Sequence, residues 1–276
     1  MLSARFPVNN WNFCLVMLLG AILAFLAAGC GGRPTQSQAM LVPPSAGTPP
    51  APGAPPNANS KIVGSIQALP GWTWCTARLN GSACASGAGN AISSIQQNQA
   101  SPSTDKKSAK FNIAGRTGYS NALWWKSIGA NSNSAHFAYD LWFYIDRPDV
   151  SEALEFDVNQ SFGGIRYTWG TECSFKNTGK WDIWDPAGFK WIPTNIDCTP
   201  FSANAWHHLV WQFERANHQV HYVSLTIDNQ TIPVDIYKDP QTNWKSDDVN
   251  VAFQMDGDIR QDPYNVWLDQ ITLTQW

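Results

Sequence analysis

The stretch Glu155-Phe156-Asp157-Val158-Asn159-Gln160 sets two carboxylates and two carboxamides close together. In a β-strand successive side chains point to opposite faces, so Leu154, Phe156 and Val158 share one face and Glu155, Asp157 and Asn159 share the other. The first face can build a core. The second presents groups that hold hydroxyls by hydrogen bonding or, as paired carboxylates, work as general acid and base. The next outward position carries an amide, Asn159, which cannot donate and take back a proton.

The elements that must position these residues are of strand type. His136–Ile145 alternates, as do residues 206–214, 220–227, 250–255 and 265–273, and turn formers such as Asp146-Arg147-Pro148-Asp149 and Asp228-Asn229 separate them. No segment after Ile95 has the length and periodicity of a major helix. The pattern predicts an all-β fold, an antiparallel β-sandwich of two sheets over a shared core. Parity then extends the candidate site. With Leu141, Phe143 and Ile145 inward, Asp140, Trp142 and Tyr144 face out; with Leu209, Trp211 and Phe213 inward, His208 and Gln212 face out; and Phe253 inward leaves Gln254 out. If these strands share one sheet, their outward residues form one cluster with Glu155 and Asp157. Aromatic faces that cover the C–H side of a sugar ring, beside carboxylates and amides that bind its hydroxyls, suit a glycan.

The chain has 15 tryptophans, so some must fill the core, Trp211 and Trp267 most clearly. Trp169, Trp181, Trp184, Trp191 and Trp244 fall in or beside loop-like segments, and Trp181-Asp182-Ile183-Trp184-Asp185-Pro186 reads as a rim. Glu155 also has a plain alternative, a surface ion pair with Arg166. His207 and His208 read more simply as strand-edge residues than as catalytic bases.

The Glu155 run resembles the Glu-x-Asp-x-(x)-Glu signature of laminarinases and lichenases in the concanavalin A-like lectin/glucanase superfamily. Trp206-His207-His208-Leu209-Val210, Val223–Asp228 and the closing run Val266–Leu273 with Asp269 in its middle are similar to strands of laminin-G-like jelly rolls. The resemblance covers roughly residues 137–276, and residues 61–135 carry no such match. It implies a jelly roll whose bent sheet forms a glycan groove, with Glu155 as nucleophile and Asp157 assisting it. The expected ligand-binding set is Asp140, Trp142, Tyr144, Glu155, Asp157, Asn159, Arg166, Trp169, His208, Gln212 and Gln254. No cofactor is expected, although the superfamily's calcium sites make Asp256 and Asp258 candidate metal ligands.

Residues 1–29 read as an export signal, with an apolar run from Cys14 to Ala28 too short for a comfortable membrane span. Leu26-Ala27-Ala28-Gly29-Cys30 resembles a bacterial lipobox, which implies lipidation of Cys30. Residues 30–60, rich in Pro, Ala, Gly and Ser, read as a disordered tether, and residues 61–276 as one sandwich domain. A formal charge of −3 with no basic cluster argues against nucleic acid as a partner. The remaining cysteines, Cys75, Cys84, Cys173 and Cys198, suggest disulfides in an exported chain, with Cys75–Cys84 and Cys173–Cys198 favoured because each encloses one loop-like segment. Three functions fit. The leading one is a cell-envelope lipoprotein that binds a neutral polysaccharide or oligosaccharide. The others are a glycan-cleaving enzyme, either a glycosidase that uses Glu155 with an acid from Glu152 or Glu172 or a lyase with His208 or Tyr144 as base, and an envelope protein without a ligand.

Overall fold

Alternation at period two runs through nearly every segment of the computed structural model, which describes residues 60–76, 91–115, 117–198, 200–260 and 262–276. The expected signal segment, Cys30, almost all of the tether, and Cys84 lie outside the described residues. The strands in chain order are β1 (Lys61–Val63), β2 (Thr73–Thr76), β3 (Ala91–Gln99), β4 (Ser108–Gly115), β5 (Asn121–Ser127) and β6 (His136–Ile145). They continue as β7 (Ser151–Phe162), β8 (Ile165–Trp169), β9 (Thr171–Ser174), β10 (Lys180–Asp185), β11 (Lys190–Asp197) and β12 (Trp206–Ala216). The last are β13 (Gln219–Ile227), β14 (Gln230–Lys238), β15 (Gln241–Thr242), β16 (Asp248–Gly257) and β17 (Tyr264–Gln275). Among the described residues no helix is long and apolar enough to cross a membrane.

Two antiparallel sheets result. The first runs β14-β13-β12-β6-β17-β4-β3 with β1 on β17, and the second runs β11-β10-β9-β7-β16-β5-β2 with β8 beside β7 and β15 beside β8. This is the antiparallel sandwich that the alternation predicts. The unmatched segment 61–135 belongs to the same sandwich, since β3 and β4 extend the first sheet while β2 and β5 extend the second.

The inward faces meet through aromatic pairs: Phe143 of β6 lies 5.4 Å from Phe156 of β7, Phe111 of β4 lies 5.0 Å from Phe253 of β16, and Trp211 of β12 lies 5.8 Å from Trp181 of β10. Burial of such rings contributes roughly 25 cal/mol per Å² of apolar surface removed from water, and edge-to-face geometry adds to it. The tryptophans divide differently from expectation. Trp211 is buried as predicted, but Trp267 stands on the outer face of β17, half-buried, with the Lys110 ammonium 5.3 Å from its ring. Trp181 is a core residue and cannot form a rim.

Local devices fix the strands. Asp228 and Asn229 adopt positive φ (46° and 72°), the geometry of a two-residue hairpin turn between β13 and β14. Asp228 accepts from the backbone N–H of His208 (2.9 Å) and pairs with His207 Nδ1 (2.8 Å). Burial pushes its carboxyl up, but these hydrogen bonds outweigh burial and leave it below the ordinary aspartate range. Cys173 of β9 is bonded to Cys198 after β11, as expected, so the disulfide brackets β10 and β11. Cys75 is also disulfide-bonded.

Candidate functional site

Strand β7 lies in the middle of the second sheet, and its outward residues Ala153, Glu155, Asp157 and Asn159 lead up the face. Register builds the site around them. Glu155 is directly opposite Glu172 of β9 on one side and Gln254 of β16 on the other. Asp182 of β10 stands beyond Glu172. One step along, Asp256 of β16 lies between Ala153 and Asn121 of β5. In the other direction Asp157 is followed across the sheet by Ala252 and Trp125. Trp184 and Trp191, paired between β10 and β11, stand 5.2 Å apart on the opposite flank. Gly170 makes room for that wall, because a Cβ there would meet the Cβ of Trp184 at 2.7 Å.

Like charges directly opposite on neighbouring strands destabilise a sheet, and here they are also withdrawn from water. Glu155 is 5% exposed. The Gln254 amide donates to it, and burial, then Asp256, Asp157 and Glu172, hold its pKa well above the ordinary value. Burial raises Asp157 to about 7 against the backbone N–H of Thr171 and the charge of Arg166. Glu172 is pushed to about 8 by burial and by Asp256 and Asp182, and Asp256 to about 7 mainly by burial. The face is a set of carboxyl groups poised to hold protons near neutrality. A depression of about 200 Å³ opens over it, lined by Tyr119, Asn121, Glu152, Glu155, Glu172, Trp191 and Asp256 among others.

The single cluster expected from parity is two clusters. Glu155, Asp157, Asn159, Arg166 and Gln254 belong to the second sheet, whereas Asp140, Trp142, Tyr144, His208 and Gln212 lie on the outer face of the first, across the core. Each parity assignment was right, but the strands pair with different partners. On the first sheet Trp142 stacks on His208 (4.6 Å between centroids), whose Nε2 lies 2.8 Å from Asp140, Tyr144 donates to Asn204, and Gln212 accepts from Ser224. His208 and Tyr144 are therefore not bases for chemistry at Glu155. Trp169 belongs to neither face: it is 0% exposed, opposite Val158 in register, 5.0 Å from Phe137 and 5.9 Å from Phe213. A continuous strand reverses the loop reading there.

Arg166 does not pair with Glu155. It donates twice to Asn159 Oδ1 (2.8 and 3.2 Å) and stacks under Trp244 at 4.2 Å. Asn159 is thereby a structural anchor, and Gln160 points the other way to bond Asn131 and Ser134 carbonyls. Of the two candidate calcium ligands, Asp258 is engaged by Lys176 Nζ (2.6 Å) and Arg260 Nε (2.8 Å), while Asp256 joins the acidic face. A larger depression of about 330 Å³ beside Cys198 holds His207 and Asp228, which are already paired with each other.

Asn121 and Trp125 were not foreseen, and Glu172 was foreseen only as a substitute acid. Strand β9 spans Thr171–Ser174, too short to show alternation by itself. The Trp124-Trp125 step of β5 did carry a signal, one ring in and one out.

No family model matches this chain, and no curated protein matches it in sequence. In fold it is similar to peanut lectin, at 11% identity and a TM-score of 0.44 over 79% of this chain and 98% of that one. It is similar also to the cellulose induced protein Cip1, at 12% identity and a TM-score of 0.43 over 66% of this chain and 85% of that one. A sialidase is matched at 11% identity and a TM-score of 0.40 over 61% of this chain, which spans only 15% of the sialidase.

Proposed function

We propose that the outer face of the second sheet binds a neutral polysaccharide or oligosaccharide. One observation carries the reading: Trp184 and Trp191 on one flank and Trp125 on the other enclose a floor of carboxyl and carboxamide groups from Asp157, Glu155, Glu172 and Gln254. Rings at the flanks can stack on pyranose C–H faces while the floor takes up hydroxyls. A polyanionic glycan would meet repulsion there. In affinity electrophoresis of the full chain in detergent against β-glucans and galactans, Trp184→Ala should weaken binding roughly tenfold, or about 1.4 kcal/mol. Trp142→Ala, on the opposite face, should leave it unchanged. The reverse pattern would move the site to the first sheet, and no binding by the wild type would leave the domain without a glycan.

A second reading, retaining glycoside hydrolysis, is favoured by one distance. Retaining enzymes keep two carboxyl groups about 5 Å apart, and Glu155 and Glu172 bring oxygens within 4.8 Å of each other. Reducing ends released from these glycans by the wild type but not by Glu155→Gln would establish this reading; glycan bound and left intact would reject it.

The same proposal locates the protein at the bacterial cell envelope, lipid-anchored through Cys30. Its support is the apolar run that ends in Gly29-Cys30 and the Pro-rich segment that follows. Cys30→Ser is expected to shift the protein from the detergent phase to the aqueous phase without changing its unfolding transition. Partitioning that stayed the same would remove the anchor.

A further inference from the structure

Two rings flank the depression over Glu155 and Glu172 from opposite sides of the sheet. Trp191 comes from β11, the outermost strand, and Tyr119 from the turn that leads into β5. The depression holds about 200 Å³. Pockets for drug-sized ligands hold roughly 300–1,000 Å³, so this one has room for a single sugar ring and not for a run of them. A chain crossing the strands at floor level would meet Trp191 at one end and Tyr119 at the other.

The backbone of Tyr119 is an independent observation. Its φ of 57° is left-handed, a region that Asn or Gly enters cheaply and a bulky side chain only at a cost. Core packing does not repay that cost, because Tyr119 is 50% exposed. Among the described residues its hydroxyl makes no hydrogen bond. The surrounding backbone nevertheless holds it in place. The Tyr119 N–H donates to the Asp258 carbonyl (3.3 Å), and the Ser120 carbonyl accepts from the Gly257 N–H (2.8 Å). Gly118 lets Ile259 come close, since a Cβ there would meet Ile259 Cδ1 at 2.9 Å. Asp258 is itself fixed by Lys176 and Arg260. Strain that the neighbouring structure enforces and packing does not repay is characteristic of a residue that serves a site.

We infer that Tyr119 and Trp191 hold one pyranose between them, so that this face recognises a chain end or a side branch of the polysaccharide and not an internal stretch. The inference rests on the glycan reading proposed above. Both rings offer apolar faces to the C–H side of the sugar, while the carboxyl groups of the floor take up its hydroxyls.

The test is affinity electrophoresis of the full chain in detergent against β-glucans and galactans, with free glucose, galactose or mannose as competitor. One of the three sugars is expected to release the polysaccharide at millimolar concentration, as a one-ring site requires. Tyr119→Phe keeps the ring and should bind within about twofold of the wild type. Tyr119→Asn removes the ring but suits the left-handed backbone, so it should weaken binding about tenfold while its Tm equals or exceeds that of the wild type. Polysaccharide that the wild type binds but none of the sugars releases at about 100 mM would overturn the inference and leave the glycan reading intact. So would polysaccharide held equally by Tyr119→Asn, or a loss of affinity matched by a lower Tm, which would make the ring a part of the fold. No polysaccharide bound by the wild type would remove both.

Discussion

Replacing Cys173 and Cys198 together by alanine should destabilise the domain by about 3 kcal/mol in urea unfolding. The bond closes a loop with a sequence separation of 25, so its loss returns considerable freedom to the unfolded chain. Its position gives the loss a functional edge. The bracketed strands β10 and β11 carry Trp184 and Trp191, and β11 is the outermost strand of the second sheet, paired on one side only. The double variant should therefore lose glycan affinity at temperatures where it is still folded by far-ultraviolet circular dichroism. A variant with wild-type stability would mean that core contacts of Trp181 and Ile183, both buried, fix β10 without the bond.

Asp269→Ala should be about as costly, on the order of 3 kcal/mol. This carboxylate is 0% exposed, at a bulge in β17 where Gln270 adopts a φ of 52°. It accepts from Gln67 Nε2 (3.2 Å), Ser103 Oγ (2.9 Å), the Thr104 N–H (2.7 Å) and hydroxyl (2.9 Å), and the Gln270 N–H (3.0 Å). Gln67 in turn accepts from the Ile271 N–H at 2.9 Å. One carboxylate thus ties the bulge to two segments more than 160 residues away in sequence. Without it several donors are left buried and unpaired, each costing about 1–3 kcal/mol unless water enters. Asp269→Asn, which keeps the shape and one acceptor oxygen, should recover part of the loss. If Asp269→Ala unfolds at the wild-type urea concentration, the segment 61–107 does not depend on this network.

The two variants touch the parts of the fold that were hardest to read from sequence. Asp269 stood out as a polar residue in an apolar strand, but its partners lie in the segment that resembled nothing. The Cys173–Cys198 pairing was legible from the nearness of the two cysteines in sequence, although the stretch between them, read as loop-like, is the β10–β11 hairpin. Glu172 was visible only as a spare acid, because a four-residue strand is too short to reveal which face its side chains take. Asn121 gave no signal at all. An asparagine at the start of a strand reads as turn chemistry, and only the pairing of β5 with β16 sets it beside Asp256.

Alternation by itself determined the all-β class, the positions of β6, β7, β12, β13, β16 and β17 and the inward or outward direction of most side chains on them, because direction in a strand follows from backbone geometry over two residues. Which outward residues share a surface was decided by the tertiary structure alone. Trp142 and Glu155 have equally sound parity, yet β6 pairs with β12 and β17 while β7 pairs with β16, β8 and β9, so the same alternation sends them to opposite sides of one core. Strand pairing joins residues far apart in the chain and is settled by how two sheets pack, through contacts such as Phe143 on Phe156, on which local sequence periodicity carries no information.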